Sequence, residues 1–224
     1  MDYNQSNLKL GIIGGGQLGK MLLQTSSKYS LLTKILDPSD DSPCKNLCDE
    51  FFLGDLMDYD AIYEFGKKCD LVTYEIEHVN VNALEKLESE GITVYPRPSV
   101  LKTIQDKNQQ KIFFTENNIP TAKHLYFKSK AEFLKFSKDN HVDFPCVWKK
   151  TKFGYDGYGV KKLNSLTEIN KLTDCEFIIE EYVPFKKELA TTVVRNDSGK
   201  IEIFPLVEMM FNPKSNQVEY VLCP

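Results

Sequence analysis

At 224 residues the chain has room for one large domain or two modest ones, and for a substantial buried core. A composition of 42% hydrophobic and 27% charged residues is that of an ordinary globular chain, which excludes intrinsic disorder, collagen and coiled coil. With 28 basic against 32 acidic residues the net charge is −4, so there is no general electrostatic drive toward nucleic acid or an anionic membrane. Local phosphate sites need only a few well-placed donors and stay open.

The opening MDYNQSNLKL has no basic region leading into an apolar stretch, so no secretory signal is read there. No apolar stretch reaches the length of a membrane-spanning helix, and a reducing cytoplasm is the expected compartment. Leu8–Ile13 reads as a short apolar strand running into glycines. Gln17–Lys28 follows as a helix, with apolar residues at 18, 21, 22 and 23. Lys34–Leu36 reads as a second strand closed by Asp37-Pro38. Cys44 and Cys48 form a C-x3-C with no second pair or nearby His to complete a zinc set, so they and Cys69, Cys146, Cys175 and Cys223 read as reduced thiols. Helical spacing over Tyr59–Lys67 and Asn82–Glu90 alternates with buried-strand runs at Asp70–Tyr74 and Ile92–Tyr95. This alternation predicts an α/β fold with a doubly wound parallel sheet.

The character changes around Pro96-Arg97-Pro98, and a domain boundary falls near 97–120. A helix is expected from about Asp106 to Asn117, stopped by Asn118-Ile-Pro120. Beyond it lie β-rich segments with a helix near Ala131–Ser137. Strands are read at Phe144–Lys150 and Phe177–Val183, then at Leu189–Arg195 and Ile201–Val207 around an Asn196–Gly199 turn. The last residues, Gln217 to Pro224, alternate like a strand.

Two glycine motifs carry chemistry. Gly14-Gly15-Gly16-Gln17-Leu18-Gly19 fits G-x-G-x-x-G between a strand and a helix, where glycines admit an anion to the helix N-terminus. With Asp37 near the end of the second strand, these residues suit NAD(P) binding or, equally, a tight strand–helix turn. The second motif is Lys149-Lys150-Thr151-Lys152-Phe153-Gly154-Tyr155-Asp156-Gly157-Tyr158-Gly159. A Lys at a strand end followed by a glycine loop suits polyphosphate, although the G-K-[ST] ending of a P-loop is missing. Ile178 to Val183 could present strand backbone to an adenine edge, and Glu188 a carboxylate to ribose hydroxyls. His78, His124 and His141 are scattered. His124 and His141 read as surface or loop residues, and no catalytic triad or metal spacing appears.

Assembled in order, these stretches resemble the ATP-grasp superfamily, and within it the 5-(carboxyamino)imidazole ribonucleotide synthases of purine biosynthesis. The resemblance rests on Gly14–Met21, Asp70–Val79 with its Tyr-Glu-Ile-Glu-His-Val, Gln105-Asp-Lys107 with Lys111, Phe153–Gly157, and Glu180–Val183 through Glu188. It implies an α/β first domain over 1–97, linker helices over 98–120, a nucleotide-binding ATP-grasp subdomain over 121–188 and the start of a second subdomain over 189–224. It also implies a reaction in which ATP and bicarbonate give carboxyphosphate, which then carboxylates aminoimidazole ribonucleotide. Gln17 and Leu18, with Glu75 or Glu77, would hold that ribonucleotide, reassigning the first glycine motif to the acceptor. Lys107 and Lys149 would face ATP, beneath a loop from Gly154 through Tyr155, Asp156, Gly157 and Gly159 to Val160. Glu180, Glu181, Tyr182 and Val183 would take the adenine and Glu188 the ribose, with Tyr155 near the reacting groups and His78 in support. A homodimer is implied for the full-length protein. Tyr158 stands where the family usually has Arg, and Phe211 where it often has His. The family's magnesium-binding acids follow the region matched here, so the chain reads as truncated at Pro224 and, alone, of little or no synthase activity. The competing readings are another ATP-grasp ligase such as a formate-using transformylase, a non-catalytic nucleotide-binding module, and a nicotinamide oxidoreductase.

Overall fold

A computed structural model describes residues 7–154, 159–212 and 217–223. The chain divides into two units, one ending at Phe113 and the other beginning at Phe114. In the first, the apolar opening run forms β1 (Leu8–Ile13), and the glycine turn hands over to α1 (Gln17–Ser26). Then come β2 (Leu31–Asp37), β3 (Glu50–Leu53), α2 (Tyr59–Gly66), β4 (Leu71–Tyr74), α3 (Val81–Ser89), β5 (Thr93–Val94) and α4 (Pro98–Gln105). The strands make one parallel sheet in the order β3-β2-β1-β4-β5, as the strand–helix alternation predicts.

Both faces of this sheet are covered, which is why its central strands read as continuous apolar runs. Successive residues go to opposite sides. Ile12 and Ile35 pack with Leu10, Leu23 and Cys44, whereas Ile13 and Leu36 pack with Ile62, Phe65, Val72, Leu84 and Leu87. Local chemistry sets the helix starts. The Asp58 carboxylate accepts the N–H groups of Asp60 and Ala61, the Asn80 side chain accepts that of Ala83, and Pro98 opens α4. The strand order reverses between β1 and β4, and in such sheets the carboxyl ends at the reversal form the ligand crevice.

The helix expected from about Asp106 to Asn117 is present to within one residue at each end. Asp106 separates α4 from α5 (Lys107–Glu116), and its carboxylate accepts the N–H groups of Asn108 and Gln109. Asn118, at φ +54°, ends α5 in the left-handed conformation that Asn tolerates.

The second unit contains β6 (His124–Phe127), α6 (Lys130–Asp139), β7 (Cys146–Lys150), β8 (Val160–Leu163), a short 3-10 helix (Leu166–Lys171) and β9 (Phe177–Glu181). The four strands form an antiparallel sheet in the order β6-β9-β7-β8. One face buries Phe127, Cys146, Trp148, Leu163, Phe177 and Ile179 against Phe133 of α6 and Ile169. Phe127, Phe133 and Trp148 each lie within 6.0 Å of the Phe177 ring, centroid to centroid.

Beyond β9 the chain departs from the two long strands expected. Leu189–Arg195 is split into β10 (Glu188–Ala190) and β11 (Val193–Arg195), and Ile201–Val207 into β12 (Ile201–Ile203) and β13 (Val207–Phe211). The break falls at Thr191-Thr192, whose hydroxyl and carbonyl bond the backbone of Phe204 while the chain passes from one sheet to another. β10 and β13 join β14 (Val218–Leu222) in a three-stranded antiparallel sheet, and β11 and β12 make the hairpin around Asn196–Gly199. Phe177–Val183 also shortens, ending at Glu181.

Trp148 is the chain's single Trp and sits in the second unit's core. Truncating the fully buried Phe177 to Ala is expected to destabilise that unit by about 3–5 kcal/mol. Urea unfolding followed by Trp148 fluorescence measures this, and an unchanged midpoint would contradict the packing described.

Candidate acceptor and nucleotide sites

The first glycine motif lies at the reversal point, between the ends of β1 and β4. Gly14 has φ +99°, and a Cβ there would stand 2.7 Å from Glu75 Oε1, so close approach of the Glu75 carboxylate requires glycine. The two N–H groups that an anion would use are already engaged. Gly15 N–H donates to Asp37 Oδ2 at 2.6 Å, and Gly16 N–H to Glu75 Oε1 at 3.3 Å. Ser42 Oγ donates to the Gly15 carbonyl at 2.7 Å and accepts Cys44 N–H at 3.3 Å. The turn is thereby held on both its donor and acceptor sides by the 37–44 segment.

This arrangement argues against the nicotinamide reading. Asp37 is buried, and its second oxygen accepts Ser39 N–H at 2.8 Å, so the acid a ribose would need is spent on backbone. Two carboxylates at the mouth of the turn also repel a pyrophosphate. What the site presents outward is Gln17 and Leu18, both exposed on the first turn of α1, beside the half-buried Glu75. Glu77 and His78 are exposed on the segment after β4. Gln105, at the end of α4, donates through Nε2 to the carbonyls of Glu77 and Val79, each at 2.7 Å, and so fixes that segment. Lys107 opens α5 and is half-buried, and Lys111 is buried.

In the second unit the glycine loop is the connection of a β-hairpin. β7 and β8 pair with Lys149 opposite Val160, and Lys150 N–H closes on the Gly159 carbonyl at 2.8 Å. Tyr155, Asp156, Gly157 and Tyr158 lie outside the described residues. The sheet face turned away from the core carries Tyr126, Lys149, Ile178 and Val160 in one cross-strand row, and His124, Glu180, Val147 and Lys162 in the next. Lys149 Nζ reaches Glu180 Oε2 at 2.7 Å. His124, expected on the surface or in a loop, is instead half-buried in β6 opposite Glu180, while His141 is exposed. Strand alternation carried this signal, but the run His124–Phe127 is too short for it to stand out.

The residues after Glu180 divide in role. Glu181 is bound to the backbone of Lys123, its N–H donating to the carbonyl and its Oε1 accepting the N–H, both at 3.0 Å. Tyr182 and Val183 are exposed past the end of β9, and Lys162 Nζ stands 3.9 Å from the Tyr182 ring centroid, a cation–π contact. Glu188 belongs to another sheet, on β10, where it is half-buried opposite Met209. Glu208 accepts from Lys187 Nζ at 2.6 Å, and Phe211 is exposed. All six cysteines are free.

Two family models divide the chain between them. One describes a ribonucleotide synthetase preATP-grasp domain and matches residues 8–105, and the other an ATP-grasp domain and matches residues 112–223. The chain belongs to the ATP-grasp family. The Synechococcus elongatus N5-carboxyaminoimidazole ribonucleotide synthase is 33% identical over 220 residues, covering 96% of this chain and 54% of that protein. Carboxyaminoimidazole ribonucleotide synthase from Aspergillus clavatus, solved with ATP, superposes with a TM-score of 0.85 at 31% identity over 96% of this chain and 57% of that one. The same enzyme solved with ADP and 5-aminoimidazole ribonucleotide gives 0.80 at 30% identity, covering 93% and 55%. The chain spans 36–58% of the length of the curated relatives it matches.

In this ATP-grasp protein, burial raises the Glu75 carboxyl above its ordinary value, aided by the nearby Asp37 charge and opposed by the Gly16 N–H. The native state therefore holds that proton more tightly than the unfolded chain. The resulting penalty on stability is absent below the unfolded value of about 4, grows as pH rises and is complete above the folded value. Glu75→Gln is expected to melt higher than wild type at pH 7, with the difference vanishing toward pH 4. Calorimetric melts across that range test this, and a variant less stable at pH 7 would contradict it.

Proposed function

We propose that this chain supplies the acceptor-binding and nucleotide-binding units of an enzyme that carboxylates 5-aminoimidazole ribonucleotide with ATP and bicarbonate. Bicarbonate oxygen attacks the γ-phosphorus of ATP, giving carboxyphosphate and ADP. The exocyclic amine of the ribonucleotide then attacks the carboxyl carbon, releasing phosphate and losing a proton. The observation that carries this reading is one chain joining a preATP-grasp unit, whose glycine turn is closed by carboxylates, to an ATP-grasp sheet bearing Lys149.

In the first unit, Gln17, Leu18 and Glu75 are suited to a ribonucleotide rich in hydroxyl and amine donors. A carboxylate accepts from such groups, and Gln offers both donor and acceptor. Glu77 lies on the same post-β4 segment. In the second unit, Lys149 neutralises phosphate charge, and the backbone and side chains of Glu180 to Val183 receive the base. Glu188 receives the ribose, and the glycine loop from Gly154 to Val160 covers the phosphates, with Tyr155 near the reacting groups. Phosphoryl transfer depends chiefly on such positioning and charge neutralisation. The relatives solved with ATP, ADP and 5-aminoimidazole ribonucleotide support this assignment of ligands.

Magnesium would add charge neutralisation at the phosphates. Among the described residues no group of three or more His, Cys, Asp or Glu side chains is arranged to hold a metal ion, so no step is assigned to it. Nor, among them, is any helix long and apolar enough to cross a membrane.

Titration calorimetry of the 224-residue chain is expected to show binding of both ATP and 5-aminoimidazole ribonucleotide. Lys149→Met should weaken ATP about 10- to 100-fold, the worth of a charge-assisted contact, and leave the ribonucleotide unchanged. Failure of the folded chain to bind ATP, or tighter binding of NADPH than of either ligand, would overturn the proposal.

A further inference from the structure

The connection from Glu75 to Asn80, between β4 and α3, carries both carboxylates assigned to the acceptor, yet it is neither strand nor helix. Its two ends are tied to neighbouring backbone. Glu75 N–H donates to the Ile13 carbonyl at 3.1 Å, and Asn80 N–H to that of Leu56 at 2.8 Å. The Asn80 side chain donates to the Met57 carbonyl at 2.9 Å and accepts Ala83 N–H. Between these ties Ile76, Glu77 and His78 are exposed, and Val79 is buried in the core. The carbonyls of Glu77 and Val79 converge on a single atom, Gln105 Nε2, each at 2.7 Å. Two carbonyl dipoles aimed at one point repel unless a group with two N–H donors stands between them, and a primary amide is such a group.

α4 has other anchors of its own. Leu101 is buried in the same core as Val79 and Leu84, and Lys102 Nζ lies 2.9 Å from Glu85 Oε1 of α3. The half-buried Gln105 amide is thus committed to the 77–79 backbone while the helix is held a turn earlier. We propose that Gln105 is a positioning residue for acceptor recognition, setting the backbone on which Glu75 and Glu77 are carried. A solvent-exposed connection without this tether samples many conformers, and affinity falls with the fraction that presents its carboxylates correctly. With the tether, the donor groups of a ribonucleotide meet acceptors already in place. This inference rests on the first unit being the acceptor site. It adds to that site a residue that need not touch the ligand.

The test measures 5-aminoimidazole ribonucleotide and ATP affinities by titration calorimetry on wild type, Gln105→Met and Gln105→Glu, with calorimetric melts confirming the fold. Gln105→Met keeps the length of the side chain and removes both donors. It is expected to weaken the ribonucleotide about tenfold, the worth of a net hydrogen bond, and to leave ATP unchanged. Gln105→Glu sets a carboxylate against the two carbonyls and should lose more than Gln105→Met. In a Glu75→Gln/Glu77→Gln background, Gln105→Met should cost the ribonucleotide nothing further, because the groups through which it acts are gone. Equal losses for ribonucleotide and ATP, or a loss that persists in that background, would overturn the inference and leave Gln105 a general structural role. If Gln105→Met binds the ribonucleotide as wild type does, the inference fails while the acceptor site stands. Absence of ribonucleotide binding by folded wild type would remove both.

Discussion

Everything in the first unit turns on the way Asp37 and Glu75 take the N–H groups of Gly15 and Gly16. A glycine turn at the start of a helix is by default an anion site, because its donors and the helix dipole point to the same place. Here carboxylates of the same chain fill that role, one from the end of β2 and one from the end of β4. The turn keeps the shape of a dinucleotide fingerprint and loses its chemistry. The crevice is left with acceptors and an exposed Gln17, a surface for groups that donate. Ser42 completes the arrangement by holding the Gly15 carbonyl, so the turn is fixed before any ligand arrives.

The second unit solves a different problem with an antiparallel sheet. One face is a dry aromatic core, and the other carries Lys149, Glu180, His124 and Lys162 among apolar Val147, Val160 and the fully buried Ile178. The alternation of β7 produces both at once. Cys146 and Trp148 face the core, and Lys149 faces out with Glu180 beside it. Much of the free energy that holds the sheet comes from Phe133, Phe177 and their neighbours, so the second face can carry charge. A buried ion pair contributes little net stability once desolvation is counted.

Much of this was legible in the residues. β1 falls where its apolar run and terminal glycines put it, and the parallel sheet follows from strand–helix alternation. The glycine motifs and the family resemblance marked both candidate sites. What could not be read were pairings across long separations. Asp37 looked like a ribose acid because its bond to Gly15 spans 22 residues, and nothing local announces it. The bonds of Ser42 and Gln105, and the pairing of Lys149 with Glu180, depend in the same way on which elements become neighbours. β3 escaped notice because Glu50–Leu53 is a short edge strand with exposed ends. The break between β10 and β11 was hidden by a β-prone Thr191-Thr192 inside an otherwise continuous run.

The central claim is the proposed division of labour, with acceptor recognition at the carboxylate-closed glycine turn and nucleotide recognition on the face of the antiparallel sheet turned away from its core. Amide hydrogen exchange read by mass spectrometry on the liganded chain tests it most directly. The account predicts that 5-aminoimidazole ribonucleotide slows exchange in peptides covering residues 14–19 and 75–79, and that ATP slows it in peptides covering β7 and β9. ATP or NADPH protecting residues 14–19, with the ribonucleotide protecting neither segment of the first unit, would contradict it.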